Sequence, residues 1–318
     1  MKNLNKNYKK AFSLVEISIV ILIIGLLIAG ISKAGDMIFD VSLKSASSLT
    51  KGAKVGRMAN LALWLETTAN ESIVEKERYN DTTITVWRDI NPQTNSKFIF
   101  KNGGAAKYIE KGQNNLPAIG KFLTSSDLFL PYTSETSASV ASYQSAQIFP
   151  SPYATIFAVV KPKAVATNLI NFCPYDTSAV PLPSTTVCAT GKEISLGLNA
   201  TGNVVFNFMS ASAASTSLAS TNAYASRNLI VISAYKDTAN QRLLVNGTDL
   251  VSASTANTYA TTNSYTGTFR VGGGNTSTDV EIYEIIVFSS ALNTAERQIV
   301  EAYLGKKYNV KMTATANP

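Results

Sequence analysis

The chain opens polar and basic, then turns apolar abruptly. From Phe12 to Ile31 the only polar residues are Ser13, Glu16 and Ser18, with glycines at 25 and 30. That stretch has the length of a helix crossing a bilayer core. The helical pattern continues through Met37, Ile38, Phe39, Ala53, Val55, Met58 and Leu61, weakened by up to ~1 kcal/mol at each of Gly35, Gly52 and Gly56. One long helix over 12–60 is expected, with its membrane segment at about 12–34 and an amphipathic outer half.

Near Leu61 the period changes. Short β-branched and aromatic runs alternate with Ser/Thr/Asn/Gly turns at Ile84–Trp87, Lys97–Phe100, Leu128–Tyr132, Ala154–Lys161, Leu169–Phe172, Glu193–Asn199, Val204–Met209, Asn228–Tyr235, Arg242–Val245, Gly267–Val271 and Val280–Phe288. Eleven strands with no helix between them predict a two-sheet antiparallel sandwich rather than βαβ units. Asn246-Gly247 between two short strands predicts a type I′ hairpin, whose central residues both need positive φ. A last helix follows, with Asn293 as its cap, Glu296 completing a capping box, and Ile299, Tyr303 and Leu304 as its apolar stripe. The expected class is α+β: a long N-terminal transmembrane helix, a mainly antiparallel β-sandwich and a short C-terminal helix.

Glu16 does not fit a plain membrane anchor, because a carboxylate at bilayer depth costs roughly 2.5–3.5 kcal/mol. A new α-amino group, made by cutting the chain just before Phe12, would offset it. An ordinary secretory signal is the other reading of this region, with Ile28–Ala34 as its small-residue end. In every case the leader lysines stay cytoplasmic and the remainder is exported.

Lys9-Lys10-Ala11-Phe12-Ser13-Leu14-Val15-Glu16 followed by a long apolar helix resembles the prepilin signal of type IV pilins and type II secretion pseudopilins. The resemblance covers about 9–34. It implies cleavage between Ala11 and Phe12 by a prepilin peptidase, N-methylation of Phe12, and pairing of Glu16 with the N-terminus of a neighbouring subunit during assembly. The family usually has Gly before the cut; Ala11 is small enough to replace it. The implied partners are the bacterial inner membrane, the peptidase and other pilin or pseudopilin subunits. The implied topology is single-pass, with leader 1–11, helix 12–60 and an exported head, either in a surface filament as a minor pilin or pseudopilin or merely tethered.

The β region also resembles a family, the concanavalin A-like, laminin-G-type jelly roll, over roughly 61–309. Its carriers are Leu63-Trp64-Leu65-Glu66, Val86-Trp87-Arg88-Asp89, Asn115-Leu116-Pro117-Ala118, the Asn246-Gly247 hairpin and the close Val280–Phe288 with Glu301–Tyr308. Trp64, Trp87 and Tyr303 read as core. Residues 310–318 read as a flexible tail. The resemblance implies a head that binds a surface ligand or glycan, and it names Asp249, Asn275 and Asp279 as the rim oxygens for calcium if that ion is bound. No other cofactor is expected. Tyr224, Tyr259 and Tyr265, in Ser/Thr/Asn-rich loops, are the aromatic platform candidates for a sugar.

Charge and composition narrow the chemistry. The leader holds Lys2, Lys6, Lys9 and Lys10, four of the 28 basic residues and more than half of the +7 excess. The remaining charge is scattered, so no nucleic-acid partner is expected. The absence of histidine excludes Ser-His-Asp and Cys-His catalysis. Cys173 and Cys188, in an exported domain, read as a disulfide rather than a metal site. A jelly-roll glycosidase would need two carboxylates on one strand face at i, i+2 spacing, which Asp279 and Glu281 satisfy and Glu281 with Glu284 do not. The chain is expected not to be an enzyme. A membrane-tethered lectin is the principal alternative to a filament subunit.

Overall fold

The structure is a computed structural model that describes residues 13–94, 98–102, 104, 106–121, 128–129, 148, 153–163, 165, 168–173, 194–208, 216–225, 228–238, 240–254, 268–272 and 280–313. Helix α1 (Leu14–Gly52) begins at Ser13, whose hydroxyl accepts the Val15 N–H, and Glu16 returns a bond to the Ser13 N–H at 2.8 Å. From Leu14 to Ile31 its large apolar side chains are 49–84% exposed. This stretch rises about 27 Å, close to the thickness of a hydrocarbon core. The helix is long and apolar enough to cross a membrane. Only beyond Ile31 do buried residues appear: Phe39, Ala46 and Thr50.

The helix is shorter than the periodicity suggests. It stops at Gly52, where Ala53 turns extended, and a 3₁₀ turn at Lys54–Arg57 leads into the sheet. Leu61, read as the end of the helical stripe, instead opens the first strand.

The strands are β1 (Leu61–Glu66), β2 (Thr82–Thr83), β3 (Val86–Arg88), β4 (Ile99–Asn102), β5 (Lys107–Ile109), β6 (Ala118–Gly120) and β7 (Leu128–Phe129). Next come β8 (Ala154–Pro162), β9 (Asn168–Cys173), β10 (Ile194–Leu198), β11 (Asn203–Phe208) and β12 (Thr216–Ala223). The last are β13 (Ile230–Lys236), β14 (Asn240–Val245), β15 (Thr248–Ser254), β16 (Thr268–Val271) and β17 (Val280–Phe288), before helix α2 (Thr294–Tyr308). Each of the eleven expected segments holds a strand. β15 is the second strand of the expected hairpin, and β1, β2, β5, β6 and β12 are additional.

Two antiparallel sheets face each other. One runs β15-β14-β13-β8-β17-β6-β5-β2, with β1 also on β17; the other runs β12-β11-β10-β9-β16-β7-β4-β3. Trp87, Phe100, Phe206, Phe208, Ile232, Ile282 and Val287 fill the space between them. β11 alternates buried and half-buried positions, as a strand with one wet face should. β8, β13 and β17 are almost wholly buried, because a second apolar layer covers their outer face. That layer holds Ala46 of α1, Trp64 of β1, Phe157, Tyr283, Ile286 and Phe288 of the sheet, and Val300, Leu304 and Tyr308 of α2.

The hairpin forms as expected, with φ of +53° at Asn246 and +72° at Gly247. The capping box of α2 also forms. Its buried face is Arg297, Val300, Glu301, Leu304, Lys307 and Tyr308, while Ile299 is 37% exposed, so the stripe is rotated from the expected one. Trp64 and Trp87 are core residues and Tyr303 is partly buried. The first residues of the expected tail are tied down: the Thr313 N–H donates to the Asn246 carbonyl at 3.0 Å, and Met312 packs against the outer layer.

Candidate functional site

The outer face of the first sheet carries a charged cluster where α1, β1, β17 and α2 meet. A β-bulge in β17 creates it: Ile282 pairs with Val160 and Glu284 with Val159, so Tyr283 is skipped. The bulge inverts the side-chain alternation. Val280, Ile282, Ile285 and Val287 face the inter-sheet core, whereas Tyr283, Ile286 and Phe288 face the outer layer. Glu284 therefore lies on the outer face with Glu281, whose carboxylate accepts the Tyr283 hydroxyl at 2.7 Å. The spacing argument that placed Glu281 and Glu284 on opposite faces fails for this reason. Directly across the ladder from Glu284 stands Glu66 of β1.

Lys307 of α2 enters between these two carboxylates, all three side chains being 0% exposed. Its Nζ donates to Glu66 Oε1, to Glu284 Oε2 at 2.7 Å and to Thr50 Oγ1 at 2.8 Å, which uses all three ammonium protons. Thr50 is in the last turns of α1, so the cluster also joins the membrane helix to the head. Glu284 Oε1 accepts from Trp64 Nε1 at 2.6 Å and from the Tyr303 hydroxyl at 2.9 Å; Oε2 accepts the Tyr308 hydroxyl at 2.8 Å. Glu66 Oε2 accepts the Ala69 N–H at 2.5 Å, and Oε1 accepts the Thr68 hydroxyl.

Two carboxyls share one ammonium in a dry site. A second uncompensated anion in such a site is costly. Burial pushes the Glu284 carboxyl above its ordinary range; the Lys307 ammonium opposes this and the Glu66 charge reinforces it. Burial, then the Glu284 and Glu66 charges, hold Tyr303 and Tyr308 well above the usual phenol range, so both stay hydrogen-bond donors. Chemically the cluster is an amine in contact with a carboxyl, with a second carboxyl within proton-transfer reach. Closer to the membrane end, the exposed Lys111–Asp36 pair at 3.0 Å, with Lys111 over the Phe39 ring, makes a second helix–head contact.

Sequence reasoning passed over this cluster. Its residues lie in segments read as core and turns, and the one available signal was Lys307 three residues after Leu304 on the face that also holds Val300. The expected sites fall elsewhere. Glu16 lies in the exposed first turn of α1, bonded to Ser13. Ala11, Phe12, Cys188, Tyr259, Tyr265, Asn275 and Asp279 lie outside the described residues, as do the side chains of Cys173 at the end of β9 and Asp249 in β15. Tyr224 is half-buried after β12 and packs against the inter-sheet core. Glu281 is engaged by Lys163 at 2.6 Å and Lys161 at 3.9 Å. Among the described residues no group of three or more His, Cys, Asp or Glu side chains is arranged to hold a metal ion.

Residues 6–32 match the prokaryotic N-terminal methylation motif. The match and the apolar helix together make this a membrane-anchored chain with a β-sandwich head. No curated protein matches it. Among solved structures, the chain is similar to Trypanosoma rangeli sialidase in complex with sialic acid, at 14% identity and TM-score 0.50, over 80% of this chain and 34% of that one. It is also similar to the binding domain of Paraclostridial Mosquitocidal Protein 1, at 11% identity and TM-score 0.51, over 79% of this chain and 53% of that one. The chain thus spans about a third of the sialidase and about half of the toxin domain. At these identities the likeness is one of fold.

Proposed function

We propose that this chain is a membrane-tethered binding protein. Its N-terminal helix, processed between Ala11 and Phe12 in the manner of a prepilin, holds a lectin-type sandwich outside the bacterial cytoplasmic membrane, where the head binds a glycan or another surface ligand. The observation that carries this reading is the division of α1: Leu14–Ile31 is bare and apolar, while Phe39, Ala46 and Thr50 are built into the head. A rigid join of that kind suits presentation at a fixed distance from the membrane. The fold neighbours, one a sialic acid complex and one a toxin's binding domain, support a ligand-binding head. Binding is favoured over hydrolysis because Glu281, one of the two carboxylates a glycosidase would need, is committed to Lys163, Lys161 and Tyr283. Glycan-array binding by the full chain in nanodiscs tests the reading. Saturable, glycan-selective binding supports it, and no binding to any glycan removes the lectin part.

A filament role is the second reading, favoured by the methylation motif and by Glu16 lying exposed near the start of α1. The minor pilin or pseudopilin would assemble through its apolar helices, with Glu16 pairing a neighbour's N-terminus. Glu16→Ala should then leave membrane insertion intact and abolish recovery in sheared filaments. Normal recovery of the variant in filaments would remove that role for Glu16.

A further inference from the structure

We propose that Lys307 and Glu66 condense to an intramolecular amide, with Glu284 as the proton carrier, so that the strand following the membrane helix is covalently joined to the last helix of the head. The geometry meets each requirement of the reaction. Nucleophile and electrophile are in contact, and neither is reachable by solvent. Glu284 Oε2 lies 2.7 Å from the same Nζ. The Ala69 N–H, 2.5 Å from Glu66 Oε2, is aimed where negative charge develops when the carboxyl carbon becomes tetrahedral. The backbone pairing of Glu66 opposite Glu284 holds the two carboxyls in place while Trp64, Tyr303 and Tyr308 fix the rotamer of Glu284.

The step balances without a co-reactant. With burial keeping the proton on Glu284, the Lys307 ammonium passes one proton to the Glu66 oxygen it touches, Oε1, and becomes a neutral amine. Its lone pair attacks Glu66 Cδ, and the carbonyl electrons move to Oε2 beside the Ala69 N–H. Glu284 protonates Oε1, which leaves as water, and recovers a proton from the nitrogen. One C–N bond forms, one C–O bond breaks, and nothing is oxidised or reduced. The reaction removes opposite charges from a dry site, leaving a neutral amide beside a neutral Glu284 acid. Escape from the cost of the buried ions favours the product.

The position also gives the link a use. The ladder of β1 is with β17, running from Leu61 opposite Phe288 to Glu66 opposite Glu284, and its other edge is held at a single bridge, Leu65 opposite Asp89. Tension arriving through α1 enters at the Leu61 end and opens that ladder one pair at a time. An amide at Glu66 stands at the far end of the ladder and stops the opening there, by a bond spanning 241 residues of sequence.

Intact mass and tryptic mapping of the full chain, denatured after purification, test the proposal. The expected result is a mass one water below that of the same processed chain, and a branched peptide joining the segment of Glu66 to the segment of Lys307, uncut after Lys307. Glu284→Gln, which keeps the size and one acceptor oxygen but cannot carry the proton, should fold with the same circular dichroism yet carry the full mass. A wild-type chain of full mass, with Lys307 cleaved and Glu66 in a linear peptide, would overturn the link. Full linkage in Glu284→Gln would overturn the role of Glu284. Peptide mapping reads the link independently of N-terminal processing.

Discussion

Replacing Lys307 with Met is the sharpest perturbation of the helix–head junction. It keeps the length of the side chain and removes the one cation among the described residues that touches both Glu66 and Glu284. Both carboxyls remain at 0% exposure, and Thr50 Oγ1 loses the Lys307 ammonium. Removing one partner of a buried ion pair costs about 3–5 kcal/mol, since the other charge is left uncompensated. For a domain of this size that corresponds to a fall in Tm of roughly 6–20 °C. Where the amide has formed there is no ion pair to lose, and the variant instead loses a cross-link between residues 241 apart in sequence, worth about 5 kcal/mol by loop-closure entropy. The sign with pH follows from Glu284, whose folded carboxyl is raised above its ordinary 4.5 by burial. A raised acid binds more protons in the folded state, so its unfavourable contribution grows as pH rises through that window and vanishes below it. The variant should therefore be most damaged at pH 7–8 and recover toward wild type near pH 4–5. The assay is thermal unfolding of the full chain in detergent by near-UV circular dichroism, across that pH range. A loss below about 1 kcal/mol at pH 7.5, or one independent of pH, would refute the reasoning.

Two further changes follow from the backbone and the surface. Gly247→Ala places a side chain at φ +72°, where its Cβ meets the Thr313 carbonyl oxygen, so urea unfolding should show a loss above about 1 kcal/mol and release of the 310–313 segment to proteolysis. Lys111→Ala breaks an exposed pair with Asp36, so its cost in the same assay should stay under about 1 kcal/mol.

The general architecture was legible because it rests on period and local chemistry. The switch from a continuous apolar run to short β-branched runs marked the head, and Asn246-Gly247 and Asn293 with Glu296 announced their turn and cap through side-chain and φ requirements that act locally. What was missed depends on partners distant in sequence. β5 and β6 are three residues each and exist because they pair in register with one another, while β12, Thr-Ser-Leu-Ala-Ser-Thr-Asn-Ala, is held by β11 rather than by its own propensity. The end of α1 is set by Thr50 and Ala46 docking on the head, so helical periodicity ran past it. The junction cluster was hidden by the bulge at Tyr283, which moves Glu284 to the face that strict alternation denies it. Three charged residues from three segments then looked like separate surface positions.

The mass of the N-terminal peptide from protein isolated from its native membranes tests the central claim most directly. A chain beginning at methylated Phe12 is the predicted result, and it establishes the processed anchor on which presentation of the head depends. A peptide that retains Met1 and the Lys9-Lys10 leader contradicts it.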